Sequence, residues 1–158
     1  SQQHLSEMSV RDLMNEIYTL NPEWGDGLEW DYLKEVVKLI KDRSKTITEI
    51  TSMSEIFFKD KLEYDIDLLN KTFNDKSIAI IKDFQSALSS IEDWSRVEIE
   101  KIFEDIMEQH EVAIGQVMKP VRVAISGIPF GPGIFDLILL LGKEICQIRL
   151  RKALSVIQ

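Results

Sequence analysis

Cysteine is nearly missing from this chain: Cys146 stands alone among 158 residues. No internal disulfide can form, and a reducing compartment, the cytoplasm, is the expected setting. Histidine is almost as scarce. His4 and His110 lie far apart, and with one thiol in the chain they offer no ligand spacing, so no metal site is expected. His110, in the stretch EQHE near a helix end, reads as a partner of the helix dipole.

Long apolar runs are missing too. The longest, Ile134 to Leu141, is interrupted by Asp136 and falls far short of the ~20 residues needed to span a bilayer. It is therefore expected in the core, with no membrane partner. The first twenty residues have no apolar stretch behind a basic start, so no signal peptide is expected. Strand alternation with hairpin turns does not occur. Positive charge is in deficit overall, with a net charge of −8, which disfavours a polyanion partner for the chain taken as a whole.

That average hides an asymmetry. Residues 119–158 hold Lys119, Arg122, Lys143, Arg149, Arg151 and Lys152 against Asp136 and Glu144, a balance of +4, so the first 118 residues carry −12. A basic end on an acidic body permits a localised nucleic-acid contact.

What is present is helical periodicity. The composition, 44% apolar and 29% charged, is that of a globular protein. A domain of this length buries roughly 68–70% of its unfolded surface and needs no staple. Ser9 reads as the cap of a first helix carrying Leu13 and Ile17, which Asn21-Pro22 stops. Leu28, Tyr32, Val36, Val37 and Ile40 recur at helical spacing. Thr46 and Ser54 read as caps of two short helices, and 62–73 repeats the three-and-four spacing. Asn74-Asp75-Lys76-Ser77 is the strongest internal break. Beyond it, Ile78, Ile81, Phe84, Leu88 and Ile91 mark an amphipathic helix. Ser95 with Glu98 forms a capping box for the next. Helices near 116–126 and 134–157 follow, the last interrupted at Gly142. The expected fold is all-α, as one domain or two small subdomains.

Catalytic patterns do not emerge. There is no Gly-x-Ser-x-Gly elbow, and Ser126-Gly127 has no partner base in the sequence. Glu98, Glu100, Glu104, Asp105 and Glu108 spread over the face opposite the isoleucines of their helix, as a solvated face does. The stretch ISGIPFGPGIFDLILLLGKE, residues 125–144, holds four glycines and two prolines, but lacks the lysine–serine ending and preceding strand of a phosphate loop. Pro132 fits the first turn of a helix beginning near Ile134. The flanking glycines allow close approach of a neighbour, either another helix or a nucleotide base.

The same stretch carries a family resemblance. Lys119-Pro120-Val121-Arg122-Val123-Ala124-Ile125-Ser126-Gly127, Gly131-Pro132-Gly133-Ile134-Phe135-Asp136, Leu141-Gly142-Lys143-Glu144 and Arg149-Leu150-Arg151-Lys152-Ala153-Leu154 resemble the C-terminus of bacterial-type glutamyl-tRNA synthetases. Gln3-His4-Leu5, Lys41 to Ile47, Phe57-Phe58 and Trp94-Ser95 match further family elements in order. The resemblance covers nearly the whole chain. It implies two packed helical subdomains of the class I aminoacyl-tRNA synthetase anticodon-binding type, meeting near the polar break at Asn74 and so comprising 1–73 and 74–158, acting as a monomer on tRNA-Glu and not on DNA. It implies no catalytic residue and no cofactor here; ATP and Mg belong to the catalytic half of such enzymes.

The glutamate anticodon is C or U, then U, then C, presented as unstacked bases with open Watson–Crick edges. Cytosine offers adjacent N3 and O2 acceptors that a guanidinium fork engages together, whereas guanine presents donors there. By resemblance, Arg122 stands where the family contacts the first anticodon base. Gly131, Pro132 and Ile134 stand in its contacting loop; Ile134 replaces the usual leucine, and Gly131 a residue often serine or threonine. Arg43 matches the arginine that reads the third base in members discriminating tRNA-Glu from tRNA-Gln. Lys143, Arg149 and Arg151 are candidates for phosphate attraction. Against these stand Arg122 pairing with Asp136 and Arg43 capping its helix. A synthetase charging both tRNAs, or a helical protein-interaction module, remain the alternatives.

Overall fold

The computed structural model describes Leu5 and residues 7–157. Of the family elements quoted above, Gln3 and His4 lie outside those residues. Among them the regular structure is entirely helical, as expected, and by its internal contacts the chain falls into two compact units that meet between Asp60 and Lys61.

The first unit contains α1 (Val10–Leu20), α2 (Trp30–Ile40) and α3 (Ile47–Ser54), with 3-10 turns at Lys41–Arg43 and Glu55–Phe57. Ser9 caps α1 by accepting from Asp12 N, and Thr46 caps α3 by accepting from Glu49 N. These bonds satisfy donors that a helix start leaves open. Leu13, Met14 and Ile17 meet Leu33, Val36, Val37, Ile40 and Ile50 in the core. Trp24 is buried at the turn after α1; its Nε1 donates to Ser54 Oγ at 2.9 Å. Ser54 ends α3 and stands at the N-cap position of the Glu55–Phe57 turn, as expected, but its side chain makes no capping bond; its hydroxyl donates back to Thr51 O. Gly25 has φ +67, and a Cβ there would lie 2.4 Å from Leu33 Cδ2, so only glycine lets the turn pack onto α2.

The second unit contains α4 (Ile66–Thr72), α5 (Asp75–Ser89), α6 (Arg96–His110), α7 (Gly115–Ser126), α8 (Ile134–Leu141) and α9 (Lys143–Ile157). Helix α4 begins later than its periodicity suggests because Asp65 caps it, accepting from Asp67 N. Asn74-Asp75-Lys76-Ser77, read as an inter-subdomain break, is a helix-to-helix turn within this unit. Asn74 and Ser77 close a reciprocal capping box there, and α4 packs on α7. The Tyr64 hydroxyl, just ahead of α4, lies within hydrogen-bonding reach of Ala124 O on α7 and Arg149 O on α9. The contact boundary therefore falls after Asp60, not at Asn74.

The unit is centred on Phe84, Phe103, Leu88, Ile99, Val121, Ile125, Leu137 and Leu150. Phe103 takes Phe84 and Phe135 edge to face, with centroids 5.2 and 5.0 Å away, a favoured aromatic geometry. Gly142, at φ +86, breaks α8 from α9 where the sequence suggested an interruption.

Candidate nucleic-acid interface

The glycine- and proline-rich loop is built between α7 and α8. Gly127 closes α7 in the left-handed conformation, φ +76, its N–H donating to Val123 O at 2.8 Å. Ser126 Oγ lies in the same corner within hydrogen-bonding reach of Arg122 O at 2.7 Å and Ile128 O at 3.0 Å. The far end is fixed from α7: Arg122 Nη1 donates to Pro132 O at 2.7 Å. Pro132 is buried ahead of the Gly133 N-cap, so it lies outside the first turn of α8 in which it was expected. Its carbonyl oxygen, a backbone group, anchors the guanidinium. Gly131 adopts φ +140 with its hypothetical Cβ 3.5 Å from Arg122 Nη1.

Arg122, Gly131 and Pro132 are therefore brought together, as the sequence suggested. Asp136, the alternative partner of Arg122, accepts at 3.0 Å from Arg96 Nη1, and Arg96 also bonds Glu100 at 2.7 Å. Arg96 further lies over the Phe135 ring, 5.4 Å from its centroid.

Two of the expected contact residues have their side chains in the interior. Ile134 is 4% exposed: it joins Leu137, Ile138 and Leu141 on the face that α8 buries, so its side chain is core rather than loop surface. Arg149, expected to face phosphate, is 2% exposed and donates from Nη1 to Ile125 O at 2.8 Å. A guanidinium held inside the unit cannot meet RNA. Lys143 and Arg151 are exposed, Lys143 Nζ reaching Ser89 O at 3.5 Å.

Arg43 lies in the first unit, exposed at the end of the 3-10 turn that finishes α2. That position accommodates either a helix-end cation or a reader of bases.

Features the sequence did not single out also lie here. Lys119 sits one turn ahead of Arg122 on α7, hence on nearly the same face. With Lys76, Ser77 and Gln116 it lines a cleft of about 240 Å³. Phe130 is 69% exposed at the loop tip. The three-residue spacing of Lys119 and Arg122 could have revealed the first; the setting of Phe130 between Pro129 and Gly131, outside any helical pattern, could have revealed the second.

Among the described residues no cluster could hold a metal ion, and no helix is long and apolar enough to cross a membrane. The buried Cys146 thiol is pushed up to about 12, chiefly by desolvation, so it is no nucleophile at neutral pH.

Comparison with known proteins gives the family and the fold. A family of anticodon binding domains matches residues 9–154. The chain is 32% identical over 135 residues to glutamate–tRNA ligase 2 of Thermoanaerobacter pseudethanolicus, covering 85% of this chain and 28% of that protein. It is 30% identical over 155 residues to glutamate–tRNA ligase of Flavobacterium johnsoniae, covering 98% and 31%. The chain thus spans under a third of these curated relatives. Its fold is that of a solved glutamate tRNA ligase from Elizabethkingia meningosepticum, with a TM-score of 0.85 at 24% identity, over 99% of this chain and 31% of that one.

Proposed function

Since the chain belongs to the anticodon-binding domain family, we propose that it reads the anticodon of tRNA-Glu for a glutamate–tRNA ligase. The larger enzyme attaches glutamate to tRNA using ATP and Mg held in a catalytic part outside these residues. The observation that carries this reading is the Arg122–Pro132 bond. It fixes a half-buried guanidinium at a restrained, surface-facing loop, on the basic end of an otherwise acidic chain. Such a guanidinium suits the paired acceptors of cytosine. Arg43, from the first unit, reads the third anticodon base and separates tRNA-Glu from tRNA-Gln.

The test is a binding titration of the chain with tRNA-Glu and with a transcript carrying G at the third anticodon position. Binding to the first and a weaker response to the second is expected. Equal binding to both would remove Arg43 as a discriminator and indicate a domain that serves both tRNAs. No binding at low salt would overturn the tRNA reading.

A further inference from the structure

Phe130 has no packing role to account for it. Burying such a ring is worth about 1.5–3 kcal/mol relative to leaving it in water, yet 69% of this residue stays exposed. The other phenylalanines of the second unit lie buried or half-buried. Within residues 127–133, Pro129 and Phe130 are the exposed pair, while Pro132 is buried. The ring is also held from both sides. Pro129 restricts the backbone before it, Gly131 turns sharply after it at φ +140, and Pro132 O is tied to Arg122.

We propose that Phe130 is a stacking platform for one unpaired base of the RNA loop, adjacent to the base that Arg122 engages. The inference rests on the tRNA-binding reading above and deepens it. RNA recognition favours such a platform because loop bases are unstacked and every base presents a π-face. A ring on a restrained tip loses little conformational freedom when a base settles on it. The ring supplies affinity without choosing a base, and the guanidinium supplies the choice. Ile134 cannot supply the apolar surface, because its side chain is in the core.

The test uses the full chain and an anticodon stem-loop of tRNA-Glu carrying 2-aminopurine at single loop positions. Wild-type chain should quench the fluorophore at one position. Phe130→Ala and Phe130→Leu should weaken binding roughly 5- to 140-fold, the range for removing one base–aromatic stack. Phe130→Trp should restore both affinity and quenching. If wild type binds but Phe130→Leu binds equally well, the platform is overturned while the tRNA reading stands. Leucine restoring what alanine loses would show a general apolar contact and also overturn stacking. If wild type does not bind the stem-loop, the tRNA reading itself fails and takes the platform with it.

Discussion

Arg149 Nη1 donates to the carbonyl oxygen of Ile125 at 2.8 Å from within the interior of the second unit. The bond ties α9 to the last turn of α7, the helix that carries Arg122 and leads into the loop. The Tyr64 hydroxyl reaches the backbone carbonyls of Arg149 and of Ala124, beside Ile125. One buried cation and one phenol therefore tie α9, α7 and the segment before α4 together.

This arrangement predicts a stability effect at Arg149 without a direct role in RNA binding. Arg149→Leu leaves the Ile125 carbonyl unpaired in the core and should cost about 1.5–3 kcal/mol in urea unfolding. Arg151→Ala, two residues on and exposed, should change stability by no more than about 0.5 kcal/mol. Equal effects of the two changes would mean that Arg149 is not the strut described.

Tyr64→Phe removes the hydroxyl that reaches both carbonyls while leaving the ring. A loss of about 1–3 kcal/mol is expected. Amide exchange should rise at the C-terminal end of α7, where the strut acts. An unchanged unfolding midpoint would show that the carbonyls find other partners.

How much of this could be read from the chain alone depends on the range of the interaction. The caps Ser9, Thr46 and Ser95 were legible because capping is decided within a few residues, and their hydroxyl oxygens accept as expected. Ser54 has the same residue type, but Trp24, thirty positions away in sequence, claims its oxygen. Ile134 opens the apolar run that was expected in the core and is buried there, whereas the burial of Arg149 is set by helices packed against it and carries no local signal. The polar turn at Asn74 marked a helix end correctly, but a turn does not say which core the next helix joins. The cluster of Arg122, Gly131 and Pro132 was legible because it spans a single short corner.

Gly131 holds this corner through its backbone. At φ +140 an L residue is strained, although its Cβ would meet Arg122 Nη1 only at an ordinary 3.5 Å. Gly131→Ala should destabilise by more than about 1 kcal/mol and weaken anticodon binding by disturbing the Arg122–Pro132 bond. Arg122→Ala should cost about 1–3 kcal/mol of binding, mainly for the cytosine-starting anticodon. A uniform loss across anticodons would instead mark Arg122 as a phosphate contact.

Alkaline pH should destabilise the fold through two buried acids. Burial pushes the Cys146 thiol from 9.0 up to about 12 and raises the Tyr64 phenol above its ordinary 10.0, in each case against an opposing pull from Arg149. Both groups are neutral when protonated, so the folded state holds protons that the unfolded state releases. The thiol's contribution is complete below 9.0 and is lost as pH rises toward about 12, while the phenol's begins to be lost only above 10.0. Cys146→Ala should flatten the fall in unfolding free energy just above pH 9.0. Native Cys146 should also resist alkylation that modifies the unfolded chain. An unaltered slope together with ready alkylation of the native protein would contradict the burial.

Salt dependence should separate the exposed cations from the buried one. For a single-stranded loop, each phosphate neutralised contributes about 0.7 to the slope of log affinity against log salt. Lys143→Ala and Arg151→Ala should each lower that slope by up to this amount, and Lys119→Ala should do so if the α5–α7 cleft meets the backbone. Arg149→Leu, measured where the variant remains folded, should leave the slope unchanged, because its guanidinium is spent on Ile125 O. A reduced slope for Arg149→Leu would place that cation at the RNA surface and contradict the interior bond. Unchanged slopes at Lys143, Arg151 and Lys119 would confine the electrostatic contact to the Arg122 corner.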